Sequence, residues 1–115
     1  MKFKVVTVIL ISILLVIVSC KKDNSSNSIY KISPVLTLNL PITQYWQKDS
    51  TPYVDPGYTA HDTIDGNLTV SVVITGTVIV TELGTYTLDY NVKDKGGLKA
   101  AQQSRTVIVE PKSFF

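Results

Sequence analysis

Thr85-Tyr86-Thr87-Leu88-Asp89-Tyr90-Asn91-Val92-Lys93 decides the fold. Tyr86, Leu88, Tyr90 and Val92 alternate with Thr85, Thr87, Asp89, Asn91 and Lys93, so an extended chain places one set on each side. One side is apolar and the other is wet, the pattern of an antiparallel strand with a single face on a core. A one-residue slip would carry Asp89 inward, so the register is firmly specified.

The surrounding sequence has the same texture. From Pro34 onward Val, Ile, Thr and Tyr dominate, and no stretch keeps a helical apolar period. Turn residues recur about every eight to twelve positions, as in all-β sandwiches and barrels. The breaks are Asp55-Pro56-Gly57, Asp65-Gly66-Asn67, Leu83-Gly84 and Lys95-Gly96-Gly97. Each supplies a residue that accepts positive φ or presets a turn. The strands are predicted at 35–40, 43–47, 57–61, 68–75, 77–81, 85–93 and 99–109.

Composition removes several functional classes. The chain has 115 residues, enough for one domain, with one cysteine and one histidine. An internal disulfide and any multi-cysteine or multi-histidine metal site are therefore excluded. The formal charge of +2 owes its sign to Lys2 and Lys4, since nine basic and nine acidic residues follow from Cys20 onward. A near-neutral chain without a Lys/Arg cluster has no electrostatic footprint for nucleic acid.

The N-terminal residues read as an export signal. Met1 to Lys4 is basic, and Val5 to Val18 is apolar apart from Thr7 and Ser12. That run is too short for a spanning helix, which needs about 20 residues, and fits a signal core of roughly 7–15. Lys21 and Lys22 end it. Ile17-Val18-Ser19-Cys20 resembles the lipobox of bacterial lipoproteins, which implies a diacylglyceryl group on the Cys20 thiol, cleavage before Cys20 and acylation of the new amine, palmitate being a typical chain. Such chains anchor a protein at about 0.8 kcal/mol per buried CH₂. Lys21-Lys22-Asp23 resembles the short signal of surface-exposed Bacteroidetes lipoproteins. The expected layout is a signal peptide over 1–19, lipidated Cys20 with a flexible polar tether over 20–33, and a folded domain over 34–112. The expected location is the cell envelope, lipid-anchored in the outer membrane, with a lean toward the cell surface.

The folded part resembles the bacterial surface Ig-like domains of the DUF5011 type, akin in style to HYR and cadherin-like modules. The residues that carry the resemblance are Pro34 to Leu38, Tyr53 to Asp62, Asp65 to Thr69 and Gly84 to Asp94. The family usually continues past the last of these with Gly-Asn, where this chain has Gly97-Leu98. The resemblance implies an immunoglobulin-like antiparallel β-sandwich of about seven strands. Within such a sandwich Gly84-Thr85-Tyr86 stands where a tyrosine corner would be, its hydroxyl returning to backbone. The antibody-type cysteine pair is absent, and Trp46 falls in an early strand.

Four residues form the leading site expectation. Under Ig-like topology the segment carrying Asp62, Asp65 and Asn67 and the one carrying Asp94 share one end of the sandwich. Three carboxylates and an amide oxygen are the hard ligands Ca²⁺ takes. Equally, each can be a turn residue capping its own backbone. Tyr45 and Trp46, with Tyr53 and Tyr58 nearby, offer a stacking platform for a glycan, or else ordinary strand packing. His61 beside Asp62 cannot form an acid–base pair, because strand neighbours point to opposite faces. Asp49-Ser50-Thr51 and Asp62-Thr63-Ile64 resemble the O-glycan acceptor motif of exported Bacteroidetes proteins.

The reading that follows is a non-enzymatic binding, adhesion or spacer module at the cell envelope. Its partners are the membrane through the lipid and an unidentified protein or glycan, with Ca²⁺ as the one cofactor candidate. The alternative is a glycan-binding accessory lipoprotein for polysaccharide uptake.

Overall fold

The computed structural model describes residues 32–114. The expected signal peptide, Cys20 and nearly all of the tether lie outside the described residues. Seven strands make two sheets: β1 (Val35–Leu38), β2 (Thr43–Gln47), β3 (Tyr58–Asp62), β4 (Gly66–Asn67), β5 (Val73–Thr75), β6 (Gly84–Asn91) and β7 (Gln103–Glu110). One sheet has the order β1-β3-β4 and the other β2-β7-β6-β5. The chain thus changes sheet between β1 and β2, over residues 39–42. As a result β2 lies parallel to β7, Tyr45 opposite Ile108 and Trp46 opposite Val109. Every other strand pair is antiparallel.

The deciding alternation holds. Leu88, Tyr90 and Val92 are buried and Tyr86 half-buried, while Thr85, Thr87 and Lys93 are exposed. In β7 the inward set is Arg105, Val107 and Val109. Leu36, Leu38 and Ala60 from the first sheet meet Leu88, Tyr90 and Val92 from the second, with Leu68 and Ala100 closing the core. At about 1.5–3 kcal/mol for each fully buried large side chain, this layer is what holds the sheets together. The tyrosine corner is present: the Tyr86 hydroxyl donates to the Glu82 carbonyl at 3.0 Å.

Three expectations are corrected. The predicted strand 68–75 is interrupted by a 3₁₀ turn at Thr69–Ser71, leaving only the short edge strand β5. The cause is local: the Asn67 side chain accepts from the Thr69 amide at 2.9 Å and turns the chain. Residues 77–81, despite their β-branched content, form no ladder. Val78 packs on the core instead, and the Val80 carbonyl accepts from Asp49. Finally, the last strand begins at Gln103 rather than at 99, where Lys99 makes only an isolated bridge to Lys93.

Gly76 sits between β5 and the 77–81 segment at φ +104°, and a Cβ there would lie 2.3 Å from the Thr87 carbonyl oxygen. Gly66 also has positive φ, but its side is open. We expect Gly66→Ala to cost about 1–2 kcal/mol in chemical denaturation, the price of left-handed backbone alone. Gly76→Ala should cost at least about 1 kcal/mol more; equal losses would contradict the close approach.

Candidate functional site

Arg105 is completely buried, and the sequence reading did not single it out. Its place on β7, in phase with Val107 and Val109, delivers the guanidinium into the interior where the chain changes sheet. Nη1 donates to the carbonyls of Asn39 at 3.0 Å and Pro41 at 2.5 Å. Nη2 donates to the Gly57 carbonyl at 3.0 Å, and Nε to the Tyr90 hydroxyl at 3.2 Å. Asp55 Oδ1 lies 3.5 Å from Nη2. The same carboxylate accepts from the Gly57 amide at 2.7 Å and, through Oδ2, from the Tyr90 hydroxyl. The guanidinium therefore ties together the crossover after β1, the turn before β3 and the C-terminal end of β6.

Burial and the hydrogen bond to Asp55 push the Tyr90 hydroxyl up to about 12, against some opposition from Arg105. Tyr58 packs on Tyr90 with ring centroids 5.4 Å apart. These groups satisfy one another, so the cluster is a strut.

The four predicted metal ligands are partly brought together. Asp65 Oδ2 accepts from the Lys95 amide at 2.7 Å, so the segments after β3 and after β6 do meet. All four, however, accept from backbone amides through one oxygen, Asn67 Oδ1 from Thr69 and Asp65 Oδ2 from Lys95 among them. Among the described residues no group of three or more His, Cys, Asp or Glu is placed to hold a metal. The quartet as drawn from sequence is therefore not assembled. Asp62 and Asp94 differ from the other two because they are buried, 2% and 5% exposed. Asp62 Oδ1 accepts from the amides of Ile64 and Asp65, both at 2.8 Å, and those two bonds hold its carboxyl below the usual carboxylate range. Asp94 Oδ1 accepts from Leu98 at 2.8 Å. The second oxygen of each carboxylate is buried and unpartnered.

Tyr45 and Trp46 do not form one platform, for the reason that governs all strand neighbours. Trp46 turns inward, its ring edge-on to Tyr53 at 5.3 Å and its indole N–H donating to the Thr51 carbonyl at 2.8 Å. Tyr53 in turn donates to Gln44 Oε1. Tyr45 stands on the outer face, 66% exposed, in one cross-strand row with Ile108 and Thr85. His61 is exposed and Asp62 buried, on opposite faces as expected. Ser50 and Thr63, the hydroxyls within the two acceptor-like motifs, are both exposed.

A family model described as a bacterial surface protein Ig-like domain matches residues 43–109. The chain belongs to this family. Among solved structures it is similar to the lipoprotein BT2262 from Bacteroides thetaiotaomicron, at 29% identity and TM-score 0.62. That match covers 71% of this chain and 40% of the lipoprotein. It is also similar to ZmpB from Clostridium perfringens, in a structure of its CBM51-2 in complex with GlcNAc and INT domains. There the identity is 30% and the TM-score 0.54, covering 69% of this chain and 17% of that one. A second ZmpB structure, of the M60 catalytic domain with CBM51-1 and CBM51-2, matches at 30% identity and TM-score 0.55, over 70% and 8% of the two chains. The chain thus spans less than half the length of each relative. No curated protein matches it.

Two expectations test the strut. Arg105→Met leaves the Asp55 charge and the loop carbonyls without their donor, so denaturation should show a loss of about 3–5 kcal/mol. Arg105→Lys should recover little of it, since three ammonium donors cannot reproduce the planar fork. The Tyr90 hydroxyl is protonated in the fold up to about 12 and in the unfolded chain only to 10.0. Its contribution is therefore complete below pH 10.0 and falls away as pH rises through about 12. Tyr90→Phe should flatten that alkaline decline in the denaturation midpoint, and an unchanged slope would reject the assignment.

Proposed function

We propose that the protein is a non-catalytic Ig-like module of the bacterial cell envelope, carried on a lipid at Cys20, that serves binding, adhesion or spacing. The observation that carries this reading is the surface Ig-like family match over residues 43–109, supported by the likeness to a Bacteroides lipoprotein. The interior fits a presenting scaffold: its polar side chains are committed to holding loops in place. The Lys21-Lys22-Asp23 stretch after Cys20 supports display at the cell surface.

The second reading is a glycan-binding accessory lipoprotein for polysaccharide uptake. It is favoured by Tyr45, the large aromatic left open on the outer sheet face among threonine hydroxyls, and by the ZmpB relative whose structure includes GlcNAc. Aromatic rings of this kind stack on apolar sugar faces while neighbouring hydroxyls bond the ring substituents.

The anchor is tested by metabolic labelling with a palmitate analogue and fractionation. Label and membrane association should both vanish in Cys20→Ala, and a protein that stays in the membrane unlabelled would refute the anchor. A glycan-array screen of the full chain separates the two functional readings. Binding lost in Tyr45→Ala establishes the glycan reading, whereas a silent array with intact binding to whole cells establishes protein-directed adhesion.

A further inference from the structure

β3 and β6 lie in opposite sheets. Tyr58 packs on Tyr90, and both chains continue in the same direction until Asp65 reaches Lys95. Inward residues recur at every second position, so Ala60 and Val92, both buried, come next, followed by Asp62 and Asp94. The two carboxylates are thus buried on segments that meet, each about 13 Å of extended chain beyond the tyrosine pair. Both are more than nine-tenths buried, and each has one oxygen, Asp62 Oδ2 and Asp94 Oδ2, with no hydrogen-bond partner.

Burying an unpaired carboxylate oxygen is costly, and here two segments that meet each carry one. Arg105 is the one buried cation among the described residues, and it is engaged with Asp55, Tyr90 and three carbonyls. No buried cation among the described residues is left to pair with either free oxygen. A divalent cation serves both, because it supplies two charges and accepts oxygen ligands at about 2.3–2.6 Å. Ca²⁺ suits the position best, since it tolerates irregular coordination completed by carbonyls and water, where Mg²⁺ demands a near-ideal octahedron.

We propose that Asp62 Oδ2 and Asp94 Oδ2 bind a Ca²⁺ ion between the segment after β3 and the segment after β6, clamping that end of the sandwich. The site differs from the one expected from sequence in its ligands: Asp65 and Asn67 shape the turns, and the two buried carboxylates hold the ion. Two carboxylates give an affinity in the class of extracellular modules, with a dissociation constant of about 10⁻⁴–10⁻³ M.

The test is thermal denaturation of the full chain in detergent micelles, in chelator and then in about 5 mM CaCl₂. Calcium should raise Tm by roughly 5–10 °C. Asp62→Asn and Asp94→Asn each keep the oxygen that accepts the turn amides, so both variants should fold and both should lose the rise. Retention of the rise in either variant, or its absence in the unaltered chain, overturns the proposal. Should one variant fail to fold, terbium luminescence sensitised by the tyrosines of the unaltered chain and competed by Ca²⁺ decides; no competed signal counts against the site.

Discussion

A guanidinium with no exposure to solvent holds the sandwich in register. The chain leaves the first sheet after Leu38 and enters the second at Thr43, and of the crossing residues Asn39 and Pro41 have carbonyls to which Arg105 donates. It donates also to a third, that of Gly57 in the turn before β3. A planar fork of five donors is the one side chain able to serve several carbonyls and a hydroxyl at once. The parallel pairing of β2 with β7 depends on this, because it exists only while the crossover stays where Arg105 holds it.

Such a device suits a domain of this size. A small all-β unit without a disulfide has a thin apolar core, and here the chain passes from one sheet to the other between its first two strands. An apolar replacement for a buried ion pair is often as stable, so the strut contributes specificity more than raw stability. It determines which loop sits where. Asp55 shares in this by capping Gly57, receiving Tyr90 and facing the guanidinium with one carboxylate.

The sequence made some of this legible and hid the rest for physical reasons. Thr85 to Lys93 showed its faces because period-two alternation acts on every residue of a long central strand. The 77–81 segment has the same β-branched content, yet propensity without a neighbouring edge makes no ladder. Arg105 was hidden because a charged residue at an inward position reads as a surface residue until its partners are known, and those lie 15 to 66 positions away. The acidic turns were legible as neighbours, since topology alone brings their loops together. Which oxygens remain free was not, because that depends on the backbone amides each turn has already claimed. The aromatic pair failed as a platform through simple parity, with Trp46 drawn inward and Tyr45 left outside.

The molecule's two interior charged clusters are built unequally. Around Arg105 a positive charge meets a carboxylate, a hydroxyl and three carbonyls, so the group is close to neutral and well solvated by the protein itself. At Asp62 and Asp94, on segments that meet, backbone amides supply partial charge to one oxygen of each carboxylate. Neither carboxylate can turn away without giving up the amides that hold its own loop. A sandwich that neutralises one buried charge so completely while leaving two others open has a position shaped for something the chain does not supply. With the proposed Ca²⁺ bound there, the rigidity of that end of the domain would follow the concentration of the ion.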